Sequence, residues 1–95
     1  MAGEPLVLVV EDEPAQREVL AYNIRAEGYE VVTAEAGDEA LVIVRETPPD
    51  VIILDWMLPN VSGIEVCRQL KMSGDAARSR VIMLSARSEE TDKVR

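Results

Sequence analysis

Short apolar runs alternate with longer amphipathic stretches along the whole chain. Continuous apolar runs of four or five residues, rich in β-branched side chains, are typical of strands that are buried on both faces. This pattern predicts strands at Leu6–Val10, Val51–Leu54 and Val81–Leu84, and the run Tyr29–Ala34 indicates a further strand between the first two.

The segments between these strands have the pattern of amphipathic helices. Pro14 suits the first turn of a first helix, and Gly28 is placed to end it. A second helix is expected from Asp38 to Glu46, a third from Ser62 or Gly63, and a fourth with Ser88 as its N-cap. The residues expected to face the core are Leu20 and Ile24 with Val19 beside them, then Ala40, Leu41 and Val44, then Ile64, Cys67 and Leu70.

This alternation of strands and helices predicts an α/β fold with a parallel sheet covered on both faces. A chain of 95 residues has room for one such core and no second domain. Ligands of doubly wound sheets bind at the carboxyl ends of the strands, where the strand order reverses. Candidate functional residues are therefore those that directly follow each strand.

The composition excludes several classes of function. The chain has one cysteine and no histidine, so a disulfide framework, a Cys/His zinc site and a histidine-based triad are excluded within it. The net charge is −8, with 12 acidic and 3 basic residues before position 51, which disfavours direct binding to nucleic acid or to anionic membranes. The N-terminus lacks the positive charge and the long apolar run of a signal peptide. No apolar run approaches the length of a membrane span. We therefore expect a cytoplasmic location.

Acidic and hydroxyl side chains follow three of the predicted strands. Glu11 and Asp12 follow the first strand, Asp55 follows the third, and Ser85 follows the fourth. Carboxylates that meet in one pocket repel each other unless a cation lies between them. With oxygen ligands alone, Mg²⁺ is the expected ion. Such a site could hold one aspartate as a phosphoryl acceptor, with the Ser85 hydroxyl donating to a phosphoryl oxygen.

Four segments stand at the predicted strand ends or at the start of the third helix: Val9-Val10-Glu11-Asp12-Glu13-Pro14, Ile53-Leu54-Asp55-Trp56-Met57-Leu58-Pro59, Ser62-Gly63 and Met83-Leu84-Ser85-Ala86-Arg87. Together they resemble the receiver domain of bacterial two-component response regulators. The run from Asp55 to Pro59 resembles the OmpR/PhoB subfamily in particular. The resemblance runs the length of the chain. It implies a flavodoxin-like (CheY-like) doubly wound parallel sheet.

The resemblance also implies a role for each site residue. Asp55 would be the phospho-acceptor and, with Asp12, a direct Mg²⁺ ligand, while Glu11 would act through water and Met57 through its backbone carbonyl. Ser85 would be the switch hydroxyl. The phosphoryl donor would be a phosphohistidine on a sensor histidine kinase or a small acyl phosphate, and DNA would be bound only through a C-terminal domain that this chain does not contain.

The same resemblance implies that residues 1–95 form an incomplete receiver. The family has a fifth strand followed by a lysine, and neither Lys71 nor Lys93 is placed to replace that lysine. The run Val81–Leu84 would then be an apolar edge strand, which predicts self-association. Two other functions are also considered: a receiver-shaped docking module without phosphorylation chemistry, and an aspartate-nucleophile phosphatase. The phosphatase is disfavoured because Met57 stands where such enzymes carry a second acid.

Overall fold

A computed structural model describes residues 3–55, 58, 61–74 and 79–84 of the chain. Strands and helices alternate in these ranges as the apolar pattern predicts. The elements in chain order are β1 (Leu6–Val10), α1 (Pro14–Ala26), β2 (Glu30–Ala34), α2 (Gly37–Glu46), β3 (Val51–Asp55), α3 (Gly63–Ser73) and β4 (Arg80–Leu84). The predicted fourth helix lies outside the described residues.

The four strands form one parallel sheet in the order β2-β1-β3-β4. The chain moves outward from β1 to β2, then crosses back over β1 to β3, so the strand order reverses between β1 and β3. Val10 is paired with both Ala34 and Leu54, which brings the carboxyl ends of β2, β1 and β3 level. The expected doubly wound parallel sheet is therefore confirmed.

Helices cover both faces of the sheet because successive strand residues point to opposite sides. On one face, buried residues of β1 and β3 form the main core with side chains of α2 and α3. On the other face, Val7 and Val9 are buried, and α1 contributes the buried Ala21. None of the helices in the described ranges is long and apolar enough to cross a membrane.

Helix α1 begins and ends near the expected residues. Pro14 stands at its start, and Gly28 follows its C-cap with a φ of 100°, a left-handed conformation that favours glycine. The expected inner face needs a correction, because Val19 is exposed while Ala21 is buried. The inner face of α1 is centred on Ala21 and on Arg17, which lies four residues earlier and is half-buried. Leu20 and Ile24 are also half-buried and lie on either side of this face.

Helix α3 also begins as expected, with the Ser62 hydroxyl accepting a hydrogen bond from the Glu65 N–H at 3.2 Å. The prediction that Ile64 faces inward is wrong, since its side chain is 55% exposed. Leu70 is buried as predicted, Cys67 is half-buried, and Val66 fills the core in place of Ile64. Each residue of an α-helix is rotated by about 100° from the one before it, so Ile64, six residues before Leu70, lies about 120° away from it around the helix axis. Residues spaced repeatedly by three therefore move away from the buried face.

Candidate functional site

The carboxyl ends of β1 and β3 meet at one edge of the sheet and bring three acidic residues together. Glu11 directly follows β1, Asp12 comes next, and Asp55 is the last residue of β3. Each offers a carboxylate oxygen that lies within 4.8 Å of the other two. The structure thus places these three predicted site residues in one cluster, called the acidic cluster below.

Backbone hydrogen bonds hold the turn between β1 and α1. The Glu11 N–H donates to the Ala34 carbonyl at 3.0 Å, which continues the pairing with β2 one residue past the end of β1. The Glu13 N–H donates to Oε2 of Glu11 at 3.1 Å. Nη1 of Arg17 donates to the Glu11 carbonyl oxygen at 3.0 Å. The turn that carries Glu11 and Asp12 is therefore tied to both β2 and α1.

The acidic cluster is enclosed on one side and open on another. Glu11 is 4% exposed and Asp55 is 9% exposed, whereas Asp12 is exposed. Asp12 is therefore the member of the acidic cluster that is exposed to solvent.

The pKa of the Glu11 carboxyl is raised above its ordinary value. The largest cause is burial, which disfavours the charged carboxylate, and the nearby charges of Asp55 and Asp12 and a hydrogen bond with Asp55 act in the same direction. The hydrogen bond from the Glu13 backbone opposes them by stabilising the charged form. A cation among the three carboxylates would remove the repulsive part of this shift.

The donor set of the acidic cluster suits a hard divalent cation. All three side chains offer carboxylate oxygens, which Mg²⁺ prefers, and the exposed side leaves room for the waters that Mg²⁺ retains. The residues present therefore fit the metal that the sequence predicts.

Two other predicted site residues, Met57 and Ser85, lie outside the described residues, as do Trp56, Pro59, Ala86 and Arg87. Their roles stay predictions.

Two contacts that hold the β1–α1 turn were not anticipated from the sequence. Glu13 is the N-cap of α1, and its Oε1 accepts hydrogen bonds from the N–H groups of Ala15 at 3.1 Å and Gln16 at 3.3 Å. An acid directly before a proline at the start of a helix is a usable signal for this cap. The bond from Arg17 to Glu11 has no such local signal, because it depends on how α1 is placed against β1.

The fold and the acidic cluster define a doubly wound α/β protein with a carboxylate site where the strand order reverses. Residues 7–95 match the family model described as response regulator receiver domain. The chain belongs to this family of signalling modules, which confirms the resemblance seen in its motifs.

Curated relatives are transcriptional regulators. The chain is 53% identical over 91 residues to the phosphate regulon transcriptional regulatory protein PhoB of Rhizobium meliloti, covering 96% of this chain and 40% of that protein. It is 46% identical to the alkaline phosphatase synthesis transcriptional regulatory protein PhoP of Bacillus subtilis and 44% identical to PhoB of Escherichia coli K12. These matches cover 93% and 94% of this chain but only 36% and 39% of those proteins. The predicted similarity to PhoB-like regulators is confirmed.

Solved structures of receivers have the same fold. The response regulator TrrA of Thermotoga maritima, solved in complex with Mg²⁺-BeF, superposes with a TM-score of 0.83 and is 37% identical, covering 95% of this chain and 76% of that one. The receiver domain of a sensor histidine kinase from Pseudomonas aeruginosa, solved with a magnesium ion in its active-site cleft, gives a TM-score of 0.85 at 28% identity. That match covers 98% of this chain and 75% of the other.

Proposed function

We propose that this chain is the phospho-acceptor receiver of a transcriptional two-component response regulator, and that Asp55 takes the phosphoryl group from a sensor histidine kinase. The observation that carries the proposal is the position of Asp55, buried at the end of β3 with carboxylate oxygens of Glu11 and Asp12 within 4.8 Å. Membership of the receiver family supports it. The chain would accept one phosphoryl group per cycle and would not turn over substrate as an enzyme does.

The transfer requires a nucleophilic carboxylate at a fixed position. An oxygen of Asp55 would attack the phosphorus of a phosphohistidine, forming an O–P bond as the P–N bond breaks and its electron pair returns to the imidazole. The product is an aspartyl phosphate. With acetyl phosphate as donor, the bond that breaks is the P–O bond, and acetate leaves.

Asp12 and Asp55 would hold Mg²⁺ directly, Glu11 through a water molecule and Met57 through its backbone carbonyl. The ion would offset the negative charge of the carboxylates and of the arriving phosphoryl oxygens. The hydroxyl of Ser85 would donate a hydrogen bond to a phosphoryl oxygen on Asp55. Burial of Asp55 beside Glu11 keeps the acceptor in one orientation and limits its contact with water.

The names of the relatives support a place in transcriptional control. PhoB and PhoP are named as transcriptional regulatory proteins, and this chain spans about 40% of their length or less. We infer that DNA binding belongs to a C-terminal domain beyond the receiver, and that the receiver works in the cytoplasm with its kinase.

The proposal is tested by incubating the chain with acetyl phosphate and Mg²⁺ and measuring intact mass. We expect slow addition of a single phosphoryl group, lost in Asp55→Asn and strongly reduced in Asp12→Ala. Asp38→Asn is the matched control, because Asp38 is an exposed acid at the start of α2, and it should be labelled like the parent.

Labelling that persists in Asp55→Asn would refute the assignment of the acceptor. Mg²⁺ binding is measured in parallel through the fluorescence of Trp56, the residue next to Asp55 in sequence. A parent that binds Mg²⁺ but stays unlabelled after prolonged incubation would favour the receiver-shaped docking module.

A further inference from the structure

Arg17 is a half-buried cation next to the acidic cluster. It lies in the first turn of α1, where its N–H donates to the Glu13 carbonyl at 2.9 Å. Its side chain turns back toward β1, and Nη1 donates to the Glu11 carbonyl oxygen at 3.0 Å. That oxygen belongs to the peptide that joins Glu11 to Asp12, so the bond acts on the backbone between two members of the cluster.

Both peptides around Glu11 are held by hydrogen bonds. The peptide before it donates its N–H to the Ala34 carbonyl at 3.0 Å, and the peptide after it accepts from Arg17. Both backbone dihedral angles of Glu11 are therefore constrained. Asp12 follows at once and is exposed, so the direction of its carboxylate depends on the peptide that Arg17 holds.

We propose that Arg17 is a positioning residue, which orients the Glu11–Asp12 peptide so that the Asp12 carboxylate is directed into the acidic cluster for cation binding. The inference rests on the proposed Mg²⁺ site. A guanidinium bond to a carbonyl is charge-assisted and stronger than a neutral one, so it can hold a turn that water would otherwise loosen. Groups that orient metal ligands in this way commonly change metal affinity by about 10- to 100-fold when they are removed.

A positioning role and a purely electrostatic role of Arg17 predict opposite changes in Mg²⁺ affinity when the side chain is removed. If Arg17 acted only as a nearby positive charge, its removal would strengthen Mg²⁺ binding, because like charges repel. If Arg17 orients Asp12, its removal weakens binding. The sign of the change in affinity therefore separates the two roles.

The experiment measures the Mg²⁺ dissociation constant by calorimetry for the parent, Arg17→Met, Arg17→Lys and Arg25→Met. Methionine keeps much of the side-chain length but neither charge nor donor, and lysine keeps the charge and one donor group. Arg25 is the matched control, since it lies on the same helix and its Nη2 donates to the Val31 carbonyl at 3.4 Å, on a backbone segment that carries none of the acidic cluster. Circular dichroism and urea unfolding report whether α1 and the fold are retained.

We expect about tenfold weaker binding in Arg17→Met, an intermediate value in Arg17→Lys and no change in Arg25→Met. Equal or tighter binding in a folded Arg17→Met would overturn the inference while leaving the metal site in place. Should that variant not fold, Arg17→Lys decides, and an affinity equal to the parent's counts against positioning. A folded parent that does not bind Mg²⁺ would remove the proposed metal site and this inference with it.

Discussion

At the scale of single residues, neighbours in sequence have different environments in the site. Glu11 continues the direction of β1 into the protein and is buried, whereas Asp12 lies in the turn and is exposed. Burial, and after it the charge of Asp55, raise the pKa of Glu11. The same crowding that suits a cation therefore costs stability when none is bound.

Replacing the buried carboxylate should stabilise the protein in the absence of metal. The pKa of Glu11 is higher in the folded protein than in the unfolded chain, so the carboxylate is less favourable in the folded state. The stability of the protein therefore falls as the pH rises through the folded-state pKa. We therefore expect Glu11→Gln to increase the free energy of unfolding at pH 7, and to increase it less as the pH falls toward 4.5. The glutamine carbonyl can still accept the Glu13 N–H.

Urea unfolding in EDTA at pH 7 and pH 5 measures this effect. Glu18→Gln, which removes an exposed acid on α1, is the control and should change the free energy little. A Glu11→Gln variant that is less stable than the parent at pH 7 would show that the cluster is not repulsive.

At the scale of elements, the start of α2 is packed unusually closely against the start of α3. A Cβ on Gly37 would lie 2.5 Å from Cγ2 of Val66 and 2.8 Å from the Val61 carbonyl oxygen. Gly37 thus allows α2 to approach Val61 and Val66, which lie just before and within α3.

Adding one methyl group at this contact should destabilise the fold. We expect Gly37→Ala to lower the free energy of unfolding by about 1–3 kcal/mol, because a backbone carbonyl cannot move aside as a flexible side chain can. Gly3→Ala is the matched control, since a Cβ there meets nothing within 4 Å. Urea unfolding of both variants measures the difference, and equal stability would mean that α2 and α3 are less tightly packed than the structure shows.

At the scale of the whole molecule, β4 is an apolar strand at one edge of the described sheet. Among the described residues, β4 has a strand neighbour only on its β3 side, and Ile82 and Met83 are 44% and 40% exposed. An open groove of about 370 Å³ lies beside the end of this strand. It is lined by Ala15, Gln16, Val19, Leu20 and Leu84. An apolar edge strand with free N–H and C=O groups favours pairing with another chain.

We therefore expect the isolated 95-residue chain to self-associate through β4. Its mass by light scattering should rise with concentration, and Met83→Lys should reduce the rise because a charge on an edge strand opposes pairing. Ile64→Lys is the matched control, since Ile64 is an exposed apolar residue on α3 rather than on a strand, and it should leave association unchanged. A constant monomer mass across the range would contradict this expectation.

The sequence by itself determined the order and type of the elements and the three acids of the site. Strand runs such as Val51–Leu54 are set by continuous apolar β-branched residues, and helix ends are marked by Pro14, Gly28 and Ser62. These are local signals. The parallel sheet then follows from the alternation of elements, and it brings Asp55 to the same edge as Asp12.

Tertiary structure decided which face of each helix is buried and how the turn after β1 is held. Val66 rather than Ile64 faces the core because α3 packs with the face that carries Val66 and Leu70 toward the core cluster. The burial of Glu11, the close contact of Gly37 and the bond from Arg17 depend on distances between elements, and local sequence does not contain those distances. The sequence therefore identified the chemistry of the site, while packing determined the orientation of the groups that carry it.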